Sequence, residues 1–263
     1  MKRIQAFEFN ELPATPRFIR ESIVEILGNG LSWGRVFSPV APVFMEFCQK
    51  ARADRVVDLC SGSGRPVSIL LDAIKAQGMV PPQFVLTDLL PNPAAMEKTR
   101  ARHPDSVRII EKPVDATRVP ADVDQPARTI INAFHHFNPE LAFSILADTV
   151  ARRRAVFIVE GFKRERGRFL PLMPALTASY LLSPFLAEKD RKKKIFFSYF
   201  LPLVSLCGGW DAVISFFRTR TEAELFEMAG RLHADYRWEY REAPYFPGGV
   251  NVVFFGIPTE SSR

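Results

Sequence analysis

Five short apolar runs alternate with stretches of helical periodicity in the first two thirds of the chain. The runs lie at residues 55–59, 83–88, 107–110, 128–132 and 155–160. Strands that are covered on both faces read as continuous apolar runs, and the helices between them provide the cover. The pattern therefore predicts an α/β fold built on a mostly parallel sheet.

Helix and hairpin signals agree with this order of elements. Two predicted helices begin with the same Asn-Pro dipeptide, at 92–93 and 138–139, which supplies an N-cap residue and a proline suited to the first helical position. The segment 221–230 starts with a Thr-x-x-Glu capping box and ends in glycine. Residues 236–257 then alternate, turn at Pro-Gly-Gly and run apolar, which predicts an antiparallel hairpin at the edge of the sheet.

These patterns divide the chain into four regions. Residues 1–50 are predicted to form an N-terminal helical lid, because apolar residues recur at helical spacing over 18–27. Residues 51–163 hold the sheet core, and 164–217 form an apolar helical insertion. Residues 218–263 add a helix and the hairpin that complete the core sheet.

The insertion contains two charge-free segments, 169–187 and 195–210. Prolines interrupt both, so neither offers the ~20 uninterrupted apolar residues that a membrane-spanning helix requires. We expect a helical cap that packs over the active edge of the sheet. Peripheral membrane contact through 169–210, with the basic stretch at 191–194 against anionic lipid, is the alternative interpretation.

Size and charge add few constraints. A chain of 263 residues with 47% hydrophobic content can bury one large core. The net charge of +6 and the pI near 9.4 would suit an acidic partner. However, the basic residues are spread along the chain, and we interpret their local clusters as solvated faces. Nucleic acid is therefore not an expected partner.

Three cysteines, Cys48, Cys60 and Cys207, lie far apart in the sequence and form no CxxC pair. This spacing argues against a disulfide framework and against a zinc site, and we predict no metal site. The first residues lack a cationic start followed by an apolar stretch, so we expect no secretory signal and a cytoplasmic protein.

A glycine turn follows the first predicted strand, in the sequence VVDLCSGSGRP at 56–66. Gly62 and Gly64 permit backbone angles that a side chain disfavours, and they let a ligand approach the main chain. Pro66 fits the first position of the next helix. Such a turn directs backbone N–H groups and the positive end of a helix towards a bound molecule.

Ligands of open α/β sheets bind beyond the carboxyl ends of the strands, so polar residues at those ends are candidate contacts. These residues are Asp58, Asp88, Asp115 with Ala116, Asn132, His135 and His136. Asp88 lies roughly 20 residues beyond the glycine turn, where a carboxylate can accept hydrogen bonds from both hydroxyls of a ribose. Asp115 could accept one from the exocyclic amine of adenine.

A nicotinamide dinucleotide fits poorly, because Val67 stands where the G-x-G-x-x-G fingerprint has its third glycine. The arrangement instead resembles the class I S-adenosylmethionine (SAM)-dependent methyltransferases, over about residues 55–160 and on through the last helix and hairpin. The resemblance implies a Rossmann-like, mostly parallel sheet of seven strands, whose last pair forms an antiparallel hairpin. It also implies SAM as the cofactor.

By position, the glycine-rich motif of this family falls on residues 58–64 and would wrap the methionine part of SAM. The candidate binding residues within it are Asp58, Cys60, Ser61, Gly62 and Gly64. Cys60 stands where many members have glycine, and its side chain narrows the turn.

Later positions follow from the same resemblance. Asp88 matches the ribose-binding acid, and Asp115, with its neighbour Ala116, matches the position that contacts adenine. Asn132 matches the position that lines the amino-acid portion of the cofactor.

His135 and His136 directly follow the fourth strand and are the candidate catalytic residues. A neutral imidazole can act as a general base if the acceptor loses a proton during methyl transfer. Adjacent side chains point apart, so we expect at most one of the two to face the acceptor. Capping of the next helix, or packing against the neighbouring phenylalanines, is the structural alternative.

Aromatic residues of the covering segments are interpreted either as ordinary core or as the lining of an apolar acceptor pocket. They are Trp33, Tyr180, Phe196, Tyr199, Phe200 and Trp210. We therefore predict a SAM-dependent methyltransferase, EC 2.1.1.-, that O-, N- or C-methylates a small, apolar or amphipathic molecule. A homodimer is also considered.

Other functions stay open at this point. The sulfonium of SAM can also donate a different alkyl group or cyclise on itself. The chain could act as a methyltransferase at a membrane surface, or it could bind SAM without catalysis. A nucleic-acid methyltransferase is disfavoured, because the NAFHHF sequence at 132–137 lacks the N-P-P-Y type of loop found in adenine-modifying relatives.

Overall fold

The computed structural model describes residues 1–187 and 190–259. Its centre is a seven-stranded sheet with strand order β3-β2-β1-β4-β5-β7-β6. The strands are β1 (Arg55–Asp58), β2 (Gln83–Leu86), β3 (Val107–Ile109), β4 (Ala127–Ile131), β5 (Ala155–Glu160), β6 (Tyr236–Tyr245) and β7 (Gly249–Pro258).

Helices connect the strands and form the cap. They are α1 (Arg17–Trp33), α2 (Ala41–Lys50), α3 (Arg65–Ala76), α4 (Pro93–Arg102), α5 (Pro139–Ala151), α6 (Arg166–Phe169), α7 (Met173–Leu186), α8 (Arg191–Ile195), α9 (Leu203–Arg218) and α10 (Glu222–Gly230). Short 3-10 turns lie at Ser38–Val40, Phe134–His136 and Leu170–Leu172, and a π-helical turn lies at Phe196–Phe200.

Strands β1 to β5 run parallel, whereas β7 pairs antiparallel with both β5 and β6. This topology confirms the predicted Rossmann-like sheet with its C-terminal hairpin. The predicted helix starts are also present, since the side chains of Asn92 and Asn138 cap α4 and α5. The order of strands reverses between β1 and β4, and this reversal creates the crevice in which such sheets bind ligands.

Helices α2 and α3 cover one face of the sheet. Phe44 and Phe47 of α2 pack against Phe157 of β5 with ring centroids 5.1 and 5.2 Å apart, and all three rings are fully buried. Residues 41–50, which the sequence assigned to the N-terminal lid, are therefore part of the core, and so are Val36, Phe37 and Val40 before them. Helices α5 and α10 cover the opposite face.

Helix α1 joins the sheet layer to the cap. Ile19, Ile23 and Ile26 on its buried side form a cluster with Val204 of α9. Farther along α1, the side chain of Asn29 contacts both layers. Its Oδ1 accepts a hydrogen bond from Nη1 of Arg65, at the start of α3, at 2.7 Å, and its Nδ2 donates to Oγ of Ser183, in α7, at 3.1 Å.

The aromatic residues of the covering segments are mostly exposed. Tyr180 is partly buried against the α1 cluster. The other five are more than a third exposed, and they are Trp33, Phe196, Tyr199, Phe200 and Trp210. The expectation of ordinary core is therefore wrong for these five, whereas their lining of an apolar acceptor pocket stays a prediction. The cap packs on α1 with one side and leaves its other side open to solvent.

Candidate active site

Asp58, the last residue of β1, fixes the loop that follows this strand at its carboxyl end. Its buried carboxylate accepts hydrogen bonds from Oγ of Ser61 and from Oγ1 of Thr129 in β4, both at 2.6 Å. Burial raises the pKa of Asp58 to about 7. Because both carboxylate oxygens bond to protein groups, Asp58 shapes the loop and joins β1 to β4.

The two glycines of this loop have different surroundings. Gly64, with φ of 71°, is packed so closely that a Cβ would lie 2.7 Å from Cδ1 of Leu86 and 3.1 Å from Oγ1 of Thr99. Gly62, with φ of 56°, is exposed, and nothing lies within 4 Å of its Cβ position. Gly64 is thus required by packing, whereas Gly62 borders open space that a ligand can enter.

Asp88 follows β2 and reaches the same loop. Its Oδ2 accepts a hydrogen bond from the backbone N–H of Gly62 at 2.8 Å, and its Oδ1 accepts one from that of Leu90 at 2.9 Å. Each carboxylate oxygen can accept more than one hydrogen bond, so ligand hydroxyls can still bind there. The predicted ribose-binding acid therefore lies directly beside the glycine turn.

Asp115 and Ala116 lie in a turn beyond β3. This turn is brought beside β2 by the backbone N–H of Val114, which donates to the carbonyl of Asp88 at 2.8 Å. Oδ1 of the exposed Asp115 accepts hydrogen bonds from the N–H and the hydroxyl of Thr117, at 2.8 and 2.7 Å. One of its oxygens thus caps the turn locally, and Ala116 is buried beneath it.

Cys60 lies among the acids of these strand ends. Burial raises the pKa of its thiol, and the nearby carboxylates of Asp88, Asp58 and Asp115 raise it further. Three acids from separate strands therefore act electrostatically on one loop, as expected for a single cleft. Cys60 itself has a positive φ of 62°, in a position where glycine is the easier residue.

Asn132 connects the ends of β4 and β5. It adopts a left-handed conformation with φ of 56°. Its backbone N–H donates to the carbonyl of Val159 at 2.7 Å, and its Oδ1 accepts from the N–H of Gly161 at 3.1 Å. These contacts fix the loop that carries the two histidines.

His135 is buried and is held at two points by Glu160, the last residue of β5. The backbone N–H of His135 donates to Oε1 at 2.8 Å, and the ring Nδ1 lies 2.6 Å from Oε2. A carboxylate at Nδ1 favours the tautomer with its proton there, which leaves Nε2 as the nitrogen that can accept a proton. A cavity of about 10 Å³ adjoins this pair and is also lined by Phe134 and Arg220.

His136 faces the N-terminal segment. Its Nδ1 lies 2.6 Å from Oε1 of Glu11. The rings of His135 and His136 have centroids only 4.1 Å apart, so the expectation that they point apart is wrong. The two residues lie in a 3-10 turn, where successive side chains differ by about 120° in direction, instead of the opposite directions found in a strand.

Arg218, at the end of α9, fastens the N-terminal segment over the histidine loop. Its guanidinium donates to both oxygens of Glu11 at 2.7 and 2.8 Å, and it donates to the carbonyl of Ala6 at 2.6 and 2.9 Å. Burial raises the pKa of Glu11, but hydrogen bonds from His136 and Arg218 outweigh it and lower that pKa to about 2. Glu11 is therefore ionised and paired.

Glu8, His135 and His136 each present a potential ligand atom, and these atoms lie within 4.8 Å of one another. The prediction of no metal site did not consider Glu8. Nη1 of Arg218 lies 3.1 Å from Oε1 of the buried Glu8 and thus already places a positive charge beside this group. We interpret the three side chains as members of the Arg218 network.

Sequence reasoning missed Glu160, Glu8, Glu11 and Arg218. A signal existed for Glu160, which is the charged final residue of an apolar run, and the rule that selected Asp58 applies equally to it. The other three meet across most of the chain's length, and no local pattern indicates such a contact.

No protein-family model matches the sequence. Curated proteins likewise give no match. Among solved structures, a protein of Nostoc punctiforme PCC 73102 described as a putative O-methyltransferase aligns with a TM-score of 0.54 and 13% identity, covering 97% of this chain and 64% of the other. An O-methyltransferase family protein from Burkholderia thailandensis gives 0.50 and 16%, covering 90% and 59%.

A third structure, an O-methyltransferase from neocarzinostatin biosynthesis in complex with S-adenosyl-L-homocysteine and 1,4-dihydroxy-2-naphthoic acid, has a TM-score of 0.47 and 15% identity, covering 80% and 50%. The chain spans about half to two thirds of the length of these proteins. Identity at this level concerns the fold. The seven-stranded sheet of this chain is thus the Rossmann-like fold that the resemblance to class I SAM-dependent methyltransferases predicted.

Proposed function

We propose that the chain is a SAM-dependent methyltransferase that acts on a small, apolar or amphipathic molecule. The observation that carries this proposal is the open space at Gly62, bordered by the Asp88 carboxylate at the reversal point of the sheet. A side chain at position 62 would fill that space. The cleft therefore offers close backbone approach and a carboxylate for ribose hydroxyls in one place.

The charge of the cleft favours SAM over a dinucleotide. Burial raises the pKa of the Cys60 thiol, and the carboxylates of Asp88 and Asp115 beside the loop raise it further. A negative environment of this kind suits the sulfonium cation and the hydroxyl donors of SAM. The pyrophosphate of a nicotinamide dinucleotide would be repelled by the same carboxylates.

When bound, SAM supplies an electrophilic methyl group on a sulfonium sulfur, which the acceptor displaces in line. The contribution of this chain is to orient the acceptor, exclude water and accept a proton. We assign the last task to His135, because the contact of Glu160 with Nδ1 favours the tautomer whose Nε2 can accept a proton. This base supports O-methylation of a hydroxyl or carboxyl group, in agreement with the description of the two structural neighbours as O-methyltransferases.

A calorimetric titration tests the proposal. SAM and S-adenosylhomocysteine are titrated into the wild type, into Asp88→Ala and into the control Asp105→Ala. Asp105 is an exposed acid just before β3, at the opposite end of the sheet. We expect binding to the wild type, a loss of about tenfold or more for Asp88→Ala, and no change for the control.

Absence of binding to the wild type would overturn the proposal, and so would equal losses in the two variants. With binding established, methyl-labelled SAM and a pool of small phenols and carboxylic acids identify the reaction by mass spectrometry. Labelled products support methyl transfer, whereas products carrying another part of the cofactor would assign a different reaction of the sulfonium.

A further inference from the structure

The cap exposes an apolar surface that α1 does not cover. Residues Gly167–Leu186 meet the length and hydropathy expected of a membrane-crossing helix, but only 22% of the most apolar stretch is buried. A core helix of comparable composition would be mostly buried. Contiguous apolar surface of this kind marks an interaction site.

Two segments form this surface together. The ring of Phe185 in α7 lies 5.6 Å from that of Tyr199 in the π-helical turn, and the Tyr199 hydroxyl donates to the carbonyl of Leu181. We call the joined face the cap surface. The start of α9 adjoins this surface, because Oγ of Ser205 donates to the carbonyl of Ser198 at 3.2 Å. The exposed large residues of the surface and of this adjoining start are Leu181, Leu182, Leu186, Phe196, Phe200, Leu201 and Leu206, with Phe200 at 78% exposure.

Positive charge borders the cap surface. Arg191, Lys192 and Lys193 are exposed in α8, directly before the π-helical turn. Lys193 lies over the ring of Phe18 at 4.2 Å, and Lys194 forms an ion pair with Glu25. The exposed residues of α8, Arg191 to Lys193, are thus all cationic, and they lie next to exposed aromatic and leucine side chains.

We propose that the cap surface docks on an anionic lipid bilayer, with Phe200 and its leucine neighbours in the acyl boundary and Arg191 to Lys193 against the headgroups. An apolar face beside a cationic one is the arrangement of interfacial membrane-binding segments. Each Lys or Arg near an anionic surface strengthens binding, because lipid headgroups supply the opposite charge.

The structure disfavours a spanning segment and a second copy of the chain as occupants of this surface. Spanning would remove α7 from α1 and break the hydrogen bond between Asn29 and Ser183. A two-fold dimer through the cap surface would place the two Arg191 to Lys193 turns at one interface, where like charges repel. An anionic bilayer can bury the exposed apolar side chains of the cap surface and pair its headgroups with the cationic side chains of α8.

Flotation with vesicles tests this proposal without need of the cofactor. The full chain is mixed with vesicles of phosphatidylcholine alone, or of phosphatidylcholine with phosphatidylglycerol. Binding is expected for the mixed vesicles, with strong weakening by salt. The variant Phe200→Glu, Leu206→Glu should lose about tenfold or more of its partitioning, and Arg191→Ala, Lys192→Ala about fivefold for each charge removed.

The control is Val80→Glu, which adds one negative charge, as each substitution of the double variant does, at an exposed apolar residue in the loop between α3 and β2. It should bind vesicles as the wild type does, and circular dichroism checks that all variants fold. Failure of the wild type to float overturns the proposal, as does equal loss in Val80→Glu and the double variant. A wild-type dimer in solution that Phe200→Glu dissociates, without any flotation, would instead assign the surface to a second copy.

Discussion

Glu160 binds His135 twice, through the backbone N–H at 2.8 Å and through the ring Nδ1 at 2.6 Å. The two contacts fix the position of the residue and the direction of its ring together. They join the carboxyl end of β5 to the turn that follows β4, next to the reversal point of the sheet. His135 therefore has a defined orientation before any acceptor binds.

This orientation predicts different outcomes for the two histidines. His135→Ala should lower the turnover of methyl transfer by about 10²-fold or more, because the proton acceptor is lost. Glu160→Gln should lower it less and alter its pH profile, since the ring loses its carboxylate partner. His136→Ala should retain turnover. Kinetics with calorimetry of SAM binding would check this, and normal turnover of His135→Ala would remove the base from the mechanism.

Alanine substitutions of the two loop glycines should have different effects, one mainly on SAM binding and the other mainly on the free energy of unfolding. Gly62→Ala places a methyl group in the open cleft and should weaken SAM binding, with a strain cost of about 1 kcal/mol in the free energy of unfolding. Gly64→Ala should cost about 1–3 kcal/mol, because its Cβ meets Leu86 and Thr99. Gly78, with φ of 72° and equally open space, is the matched control outside the cleft. Gly78→Ala should show the strain cost alone.

Asp58 should make stability depend on pH. Burial raises its pKa from 3.8 to about 7, so the folded chain holds this proton more tightly than the unfolded chain. The free energy of unfolding should therefore fall as pH rises from about 4 to about 7, by on the order of 1–3 kcal/mol from this group. Asp58→Asn stays neutral and should lose this part of the slope. Denaturant unfolding at several pH values measures it, and parallel profiles of the two proteins would contradict the assignment.

Arg218 should control attachment of the N-terminal segment. Arg218→Ala leaves the buried Glu8 without its cationic partner and should lower the free energy of unfolding by about 3–5 kcal/mol. Arg218→Lys should recover little, because an ammonium cannot match the bidentate contact with Glu11. Hydrogen exchange should rise first in residues 3–11. Unchanged exchange there would show that other contacts hold the segment.

The sheet could be predicted because its information is local. Apolar runs such as AVFIVE, turn residues such as Gly64 and caps such as Asn138 each specify an element within a few residues. The carboxyl ends of parallel strands lie on the same side of a sheet, so the polar residues at these ends are expected to lie close together. The acids around Cys60 follow from the sequence by this rule.

Contacts made by tertiary packing could not be predicted. The pairing of Arg218 with Glu11 joins distant segments that carry no shared pattern. The direction of His136 depends on a 3-10 turn, whereas its position directly after a strand suggests the alternation of a strand. Exposure of Phe200 likewise depends on where the cap meets α1, and the composition of the cap alone suggested core.

Asn29 accepts from Arg65 beside the glycine loop and donates to Ser183 in the cap helix α7. The side chain of Asn29 therefore connects the start of α3, beside the glycine loop, with α7 of the cap. Any tilt of α7, whether from an arriving acceptor or from lipid, must lengthen one of these two bonds or carry α1 with it. We therefore expect binding in the cleft and docking of the cap to be coupled, in which case each ligand changes the affinity for the other by the same factor.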